Sequence, residues 1–322
     1  MEILTYQFEF RDYQRQFQSP LKTNYGSWKV REGIILRFTN KIGKVSYGEI
    51  APISWFGSET IEQAKAFCDQ LPRELTQEVI FSIPDTLPAC QFGFESALEE
   101  VSDREQHLEC SALLPAGEAA LETWQKLWSE GYRTFKWKIG VEAIAAELEV
   151  FKQLVRIPVS AKLRLDANGG LSYSQANLWL QTCDRLKEDP TISIEIEYLE
   201  QPLAVTEFAA MLELSHSYKS TIALDESVAT LQQLQQCYQQ GWRGIFIIKP
   251  AIAGFPSRLR QFCQRYQIDT VFSSVFETQI GKSVALKLAT ELSSPHRAIG
   301  FGVDHLLQEQ DSHWLENLWN TR

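Results

Sequence analysis

From about residue 108 onward the chain repeats one pattern, a short apolar strand, a loop and a helix-patterned segment, and this recurrence constrains the fold more than any other feature. Strands are expected over 109–114, 133–139, 161–166, 194–200, 221–225, 244–249, 269–274 and 298–301. Between them lie segments such as E118-AALETWQKLWSE and L231-QQLQQCYQQ, each followed by a glycine, Gly131 and Gly241, where a helix end favours a left-handed residue. Strands and helices in this order can close as a β/α barrel or spread as a doubly wound sheet. In a doubly wound sheet, helices cover both faces of an inner strand, so polar residues belong only at strand ends. Here Lys136 and Lys138 share one face of T134-FKWKIG, opposite Phe135, Trp137 and Ile139, and Lys162, Arg164 and Asp166 share one face of the following strand. A barrel whose lumen collects charge at its C-terminal rim accounts for this; a doubly wound sheet does not.

Residues 1–100 have a different rhythm. Leu4, Tyr6, Phe8 and Phe10 alternate with polar residues, as does much of G33-IILRFTN, and K44-VSYGEIAP closes an expected antiparallel meander. Helices are expected in S58-ETIEQAKAFCDQL and F92-GFESALEEV. The division expected is an α+β module over 1–100, a barrel over 101–304, and residues 305–322 packing back on the first unit.

Five ionisable residues mark successive strand ends: Lys138, Asp166, Glu200, Asp225 and Lys249. They recur at intervals of one β/α unit, so adjacent strands would bring them to one rim. Three carboxylates gathered there would repel one another and resist ionisation unless a cation joined them. An all-oxygen set without Cys or His favours a hard ion, Mg²⁺ first and Mn²⁺ second. Such an ion can hold a substrate carboxylate and stabilise the enediolate formed when the adjacent carbon loses a proton. A lysine base must be neutral, and Lys136, about 7 Å from Lys138 along the strand, would repel it by about 2.4 kcal/mol at an effective dielectric of 20. That repulsion favours the neutral amine without being sufficient alone, leaving the ion and desolvation to supply the rest.

For any one of these carboxylates, a surface salt bridge, a helix cap (Asp225) or a turn (Asp166 before Asn168) is the commoner role. Five in order reverse that balance. Glu195 and Glu197 stand as alternative ligands, although their alternation sets them on a face other than that of Glu200, and Glu226 could replace Asp225.

At these residues the sequence resembles the enolase superfamily and, within it, the muconate-lactonising subgroup. The resemblance runs through K-x-K (Lys136, Lys138), L-D-A-N (Asp166 to Asn168), E-Q-P (Glu200 to Pro202), A-L-D-E-S (Asp225) and I-K-P (Lys249), and in the first hundred residues through L21-KTNYG, R31-EGIILRF and Y47-GEIAP. It implies an α/β fold, a modified TIM-type (β/α)7β barrel with an N-terminal α+β capping domain. It also implies Mg²⁺ on Asp166, Glu200 and Asp225, Lys138 as proton acceptor and donor, Lys249 stabilising charge across the barrel, and Arg164, Ser273, Ser274 and Gly302 beside the substrate. The implied reaction is dehydration of 2-succinyl-6-hydroxy-2,4-cyclohexadiene-1-carboxylate to 2-succinylbenzoate, a step towards menaquinone or phylloquinone. Amino-acid racemases and dipeptide epimerases share the lysines and ligands; the epimerases typically carry D-x-D on the last strand, where this chain has I299-GFGVDH. Relatives often carry Arg where Asn24 stands.

A net charge of −10, without a Lys/Arg run, argues against nucleic acid or an anionic membrane as partner and for a small-molecule carboxylate substrate. The first residues, MEILTYQFEF, carry charges where a signal peptide needs an apolar core. The scattered cysteines, at 68, 90, 110, 183, 237 and 263, read as reduced core residues of a cytoplasmic enzyme. The five histidines show no ligand spacing, G281-K-S and G300-F-G lack the remaining glycines of nucleotide-binding loops, and Trp124 and Trp128 mark packing. A metal-binding barrel without catalysis would need neither lysine, and a Schiff-base aldolase leaves the carboxylates unexplained. Oligomeric state is open at this level.

Overall fold

The alternating segments near the amino terminus pair as their pattern predicts. The structure, a computed structural model, describes residues 4–23, 26–99, 108–157 and 160–320. Strands β1 (Thr5–Thr23), β2 (Gly26–Asn40), β3 (Val45–Ile50) and β4 (Glu74–Thr76) form an antiparallel sheet in the order β3-β2-β1-β4. Phe8, Ile34, Leu36, Phe38 and Ile50 are buried on its inner face. A helix over Ile61–Gln70 starts at a reciprocal capping pair of Thr60 and Gln63. The helix expected from Phe92 instead spans Pro88–Ser96, because Pro88 occupies the first turn, where its missing N–H is harmless. It lies directly on β3: a Cβ on Gly48 would stand 2.0 Å from the Gly93 carbonyl oxygen, so only glycine permits that approach.

The second sheet is parallel, with strands β5 (Ala112–Leu114), β6 (Thr134–Lys138), β7 (Lys162–Asp166), β8 (Glu195–Glu200), β9 (Ile222–Leu224), β10 (Ile245–Ile248) and β11 (Thr270–Phe272) neighbouring one another in sequence order. Gly131 and Gly241 take φ of 100° and 101° after their helices, as the sequence requires. The expected eighth strand is reduced to two single parallel bridges, Cys110 with Ile299 and Ser273 with Gly300. They join the two ends of the curled sheet, with Ser111 N–H donating to Ile299 O (2.8 Å) and Gly300 N–H to Phe272 O (2.7 Å). A Cβ on Gly300 would fall 2.6 Å from Ser273 Oγ, so glycine lets the barrel close.

Leu163, Leu165, Ile196, Leu199, Phe246 and Ile248 belong to the main apolar core, while Tyr198, Ala223, Ile245, Ile247 and Val271 form a separate plug inside the barrel. Tyr198, Ala223 and Ile247 lie two positions before Glu200, Asp225 and Lys249, so alternation along each strand lifts the ionisable groups above an apolar floor. One departure from alternation matters. The β7–β8 register slips between Leu163 and Arg164, pairing Leu163 with Ile196 and Arg164 with Tyr198. The extra residue, Glu197, meets Arg164 inside the barrel at 2.6 Å and Arg297 at 2.8 Å. Simple parity therefore misplaced Glu197, and its partners keep it away from the rim.

The chain's last described residues return to the first sheet. Phe17 bridges to Leu307, and Trp319 of the Trp314–Asn320 helix stacks beneath the Arg37 guanidinium, 4.2 Å from its ring centre.

Candidate active site

Adjacent strands place the charged residues side by side. Lys138 pairs in register with Asp166, and Asp166 with Glu200. Asp225 follows β9 and Lys249 follows β10, so the sheet order sets Lys138 and Lys249 on opposite sides of the three carboxylates. Lys136, Lys138, Asp166, Asp225 and Lys249 line a cavity of about 390 Å³, a size suited to a small organic ligand. Glu200, only 1% exposed, lies beneath it.

The lysines interleave with the carboxylates. Lys136 Nζ donates to Glu200 Oε1 at 2.7 Å and lies 2.8 Å from Asp166 Oδ2, so one ammonium ties two neighbouring acids together. Lys249 Nζ contacts Asp225 Oδ1 and sits 4.0 Å from the centre of the Phe56 ring. Burial disfavours the Lys136 ammonium, but Asp166 and Glu200 outweigh it and push its pKa well above the ordinary lysine value. Burial first, and Asp166 second, push the Glu200 carboxyl well above the carboxylate range, with Lys136 pulling it back. Beside its expected place next to Lys138, Lys136 thus bridges Asp166 and Glu200.

Asp225 makes no side-chain cap to the turn that follows it, whereas Asp166 serves both uses, accepting from Asn168 N–H at 3.0 Å through Oδ1 while Oδ2 faces Lys136. Ser273 and Ser274 line the cavity. Arg164 does not. It is 1% exposed, held by Glu197 and by the Ala298 carbonyl (2.7 Å) one layer below the rim. Gly302 is also absent from the lining, and Gly300, the residue at the closing bridge, takes that place. Asn24 and His107 lie outside the described residues.

Other lining residues escaped the sequence reading. Trp28, Trp55 and Phe56 from the first hundred residues, together with Phe276, make an aromatic wall, Trp28 meeting Trp55 edge-on at 5.0 Å and Phe276 at 5.5 Å. Glu226, weighed in the sequence as a substitute for Asp225, also faces the cavity, its Oε1 accepting from Asn168 Nδ2 at 3.2 Å. Burial, then Asp225 and Asp166, push its carboxyl up to about 7. The only local signals were the L-D-A-N and D-E-S strings themselves.

Among the described residues, no three His, Cys, Asp or Glu side chains already stand as a finished ligand cage. The donor chemistry nevertheless suits a hard divalent cation. Asp166, Glu200 and Asp225 present oxygen donors, all buried, from consecutive strands, and the neighbouring Glu226 Oε2 is buried without a hydrogen-bond partner. A buried excess of carboxylate is what such a cation would neutralise.

Comparison with known proteins gives the same neighbourhood. Residues 119–317 match the family model described as enolase C-terminal domain-like, and residues 7–101 match the MenC N-terminal domain. The chain is 42% identical over 303 residues to an o-succinylbenzoate synthase of Thermosynechococcus vestitus, covering 92% of each chain. Its structure is similar to a crystal structure of o-succinylbenzoate synthase from Thermosynechococcus elongatus with Mg in the active site, with a TM-score of 0.88, 39% identity, and coverage of 97% of this chain and 99% of that one. An L-Ala-D/L-Glu epimerase from Bacillus subtilis shares the fold at a TM-score of 0.75 and 21% identity, with coverage of 96% and 92%.

Proposed function

Because the chain belongs to the enolase superfamily, with a MenC-type amino-terminal region, we propose that it is an o-succinylbenzoate synthase, a carbon–oxygen lyase that dehydrates 2-succinyl-6-hydroxy-2,4-cyclohexadiene-1-carboxylate to 2-succinylbenzoate on the way to menaquinone or phylloquinone. The observation that carries this reading is the convergence of Lys138 and Lys249, from opposite sides of the barrel, on one cavity whose rim holds the three carboxylates. Asp166, Glu200 and Asp225 would hold Mg²⁺, or Mn²⁺ in its place. Bound there, the ion supplies a Lewis acid for the substrate carboxylate.

In this reading neutral Lys138 removes the proton from the carbon bearing the carboxylate, and the C–H electron pair moves toward that carboxylate. Lys249, on the other side, stabilises the developing negative charge as an ammonium. The electron pair then returns to form the ring double bond as the neighbouring C–O bond breaks. The hydroxide leaves as water with the proton carried by Lys138, so the net change is loss of one water and an aromatic ring. The apolar wall of Trp28, Trp55 and Phe276 would exclude bulk water from the site. Placement in the cytoplasm, without a nucleic-acid or membrane partner, belongs to the same reading. It is supported by the net charge of −10 and by six cysteines outside any disulfide, and among the described residues no helix is long and apolar enough to cross a membrane.

The test is aromatisation of the cyclohexadiene substrate followed in the ultraviolet, beside a panel of N-acylamino acids and dipeptides monitored for racemisation. Turnover is expected with the cyclohexadiene and is abolished by EDTA. Lys138→Ala should lose about 10²- to 10⁴-fold in kcat while still binding Mg²⁺. Wild-type turnover by Lys138→Ala sinks the base assignment. Racemisation of a dipeptide without aromatisation would replace the dehydratase reading with that of an epimerase.

A further inference from the structure

Gln201, the residue after Glu200, touches every loop that carries a carboxylate of the site. It is completely buried, and its backbone turns through the left-handed region at φ 36°. Its carbonyl accepts from Gly169 N–H at 2.7 Å, in the loop after Asp166, and its N–H donates to Ala223 O at 2.8 Å, in the strand before Asp225. Its side-chain Oε1 accepts from the backbone N–H of Asp225 (3.0 Å) and of Ser227 (3.2 Å). Its Nε2 donates to Ser227 Oγ at 2.8 Å and to Leu203 O at 3.0 Å. One side chain thus fixes the peptide groups on both sides of Glu226, and the Gln201 backbone ties the loop after Asp166 to β9.

We infer that Gln201 is a positioning residue that holds Asp166, Glu200 and Asp225 in a single arrangement and sets Asp225 toward the ion. The inference rests on the reading of those three carboxylates as the Mg²⁺ ligands. The geometry explains why a glutamine is needed. A glutamate lacks the donor for Ser227 Oγ and Leu203 O, and an apolar residue of the same length leaves two buried N–H groups and a carbonyl without partners. Gln201 has no place in the cavity lining, so its effect on chemistry must pass through the ligands.

The experiment is calorimetric titration of the purified full-length protein with MgCl₂, with substrate absent, for wild type, Gln201→Met, Ser227→Ala and Gln91→Met. Gln91 is a second buried glutamine, bonded to Ile83 O and Asp85 in the amino-terminal part and not to the carboxylate loops, so the same substitution there controls for general loosening. Outer-shell partners of a metal typically govern affinity by 10- to 100-fold. A rise in Kd of that size is expected for Gln201→Met, a rise of about two- to fivefold for Ser227→Ala, which removes one of the amide's acceptors, and no change for Gln91→Met. A Kd within twofold of wild type in Gln201→Met overturns the inference while leaving the metal site intact. Equal losses in Gln201→Met and Gln91→Met overturn it as well, assigning the effect to loosening. If Gln201→Met does not fold, Ser227→Ala decides alone, an unchanged Kd there rejecting the clamp. A wild-type protein that binds no Mg²⁺ removes the metal reading and the inference together.

Discussion

Lys249 is held from two sides, by the Asp225 carboxylate and by the face of Phe56, whose ring centre lies 4.0 Å from Nζ. An ammonium over an aromatic face gains about 0.5–2 kcal/mol, more as it is desolvated, and this side chain is only 11% exposed. Phe56→Leu keeps an apolar wall and removes the ring quadrupole. The expected outcome is a fall in kcat of about 2- to 30-fold with KM little changed. Steady-state kinetics on the aromatisation reaction checks it, and an unchanged kcat would show that Asp225 alone orients the amine. The two partners of Lys249 also show what a sequence reveals at this scale. Asp225 was legible because both residues end consecutive strands one β/α unit apart. Phe56 was not, since it arrives from a turn nearly two hundred residues earlier and no local period marks it. The same holds for Trp28 and Trp55, and for the contacts by which Lys136 bridges Asp166 and Glu200.

At the scale of elements, strand positions could be read because apolar alternation and glycine punctuation are local. Register could not. The slip between Leu163 and Arg164 depends on how β7 meets β8, and it turned Glu197 inward, while the last strand is reduced to two bridges, one of them seating Gly300 against Ser273. Contacts between helices were equally invisible. Glu99 accepts from both Arg260 nitrogens, at 2.6 and 3.0 Å, and from Lys287 at 2.9 Å, joining the end of the first hundred residues to two barrel helices. Burial raises its carboxyl pKa, but Arg260 and Lys287 outweigh burial and lower it on balance. A lowered folded-state pKa means that the stabilisation is fully present above the unfolded value, near 4.3, and is lost as pH falls through the lower folded value. Glu99→Gln should therefore cost about 1.5–3 kcal/mol at pH 7, with the deficit closing as pH falls below about 4. Urea unfolding of both proteins from pH 7 to 2.5 measures the difference. A deficit that stays constant to pH 2.5 would exclude ionisation as its source.

For the whole molecule, the question is whether the amino-terminal sheet and the barrel answer to a ligand separately or together. The sequence divides near residue 100, where the rhythm changes, yet the groups that join the two sides are among the most deeply buried in the protein. Glu49, at the end of β3, is fully buried; it accepts from Thr278 N–H at 2.8 Å and from Gly281 N–H at 2.9 Å at the start of a barrel helix, and also from the Thr278 and Tyr13 hydroxyls. Separating the two sides would strand that carboxylate and the helix amides it satisfies, which is why partial opening is disfavoured. The cavity has the same dual origin, with Trp28, Trp55 and Phe56 on one side and the charged rim on the other. Ions held only by barrel carboxylates should therefore stabilise amides of the first sheet that they never touch. At 100 times its dissociation constant, Mg²⁺ stabilises the native state by about 2.7 kcal/mol, and in a cooperative molecule that increment reaches every amide that exchanges only through global opening. Hydrogen exchange followed by mass spectrometry should show the slowest amides of β1 to β3 slowing by about 100-fold on Mg²⁺ addition, in step with those of β7 to β9. Protection confined to the barrel strands, with the first sheet exchanging at its original rate, would mean that the Glu49 junction opens independently and that the roof of the cavity is thermodynamically uncoupled from its floor.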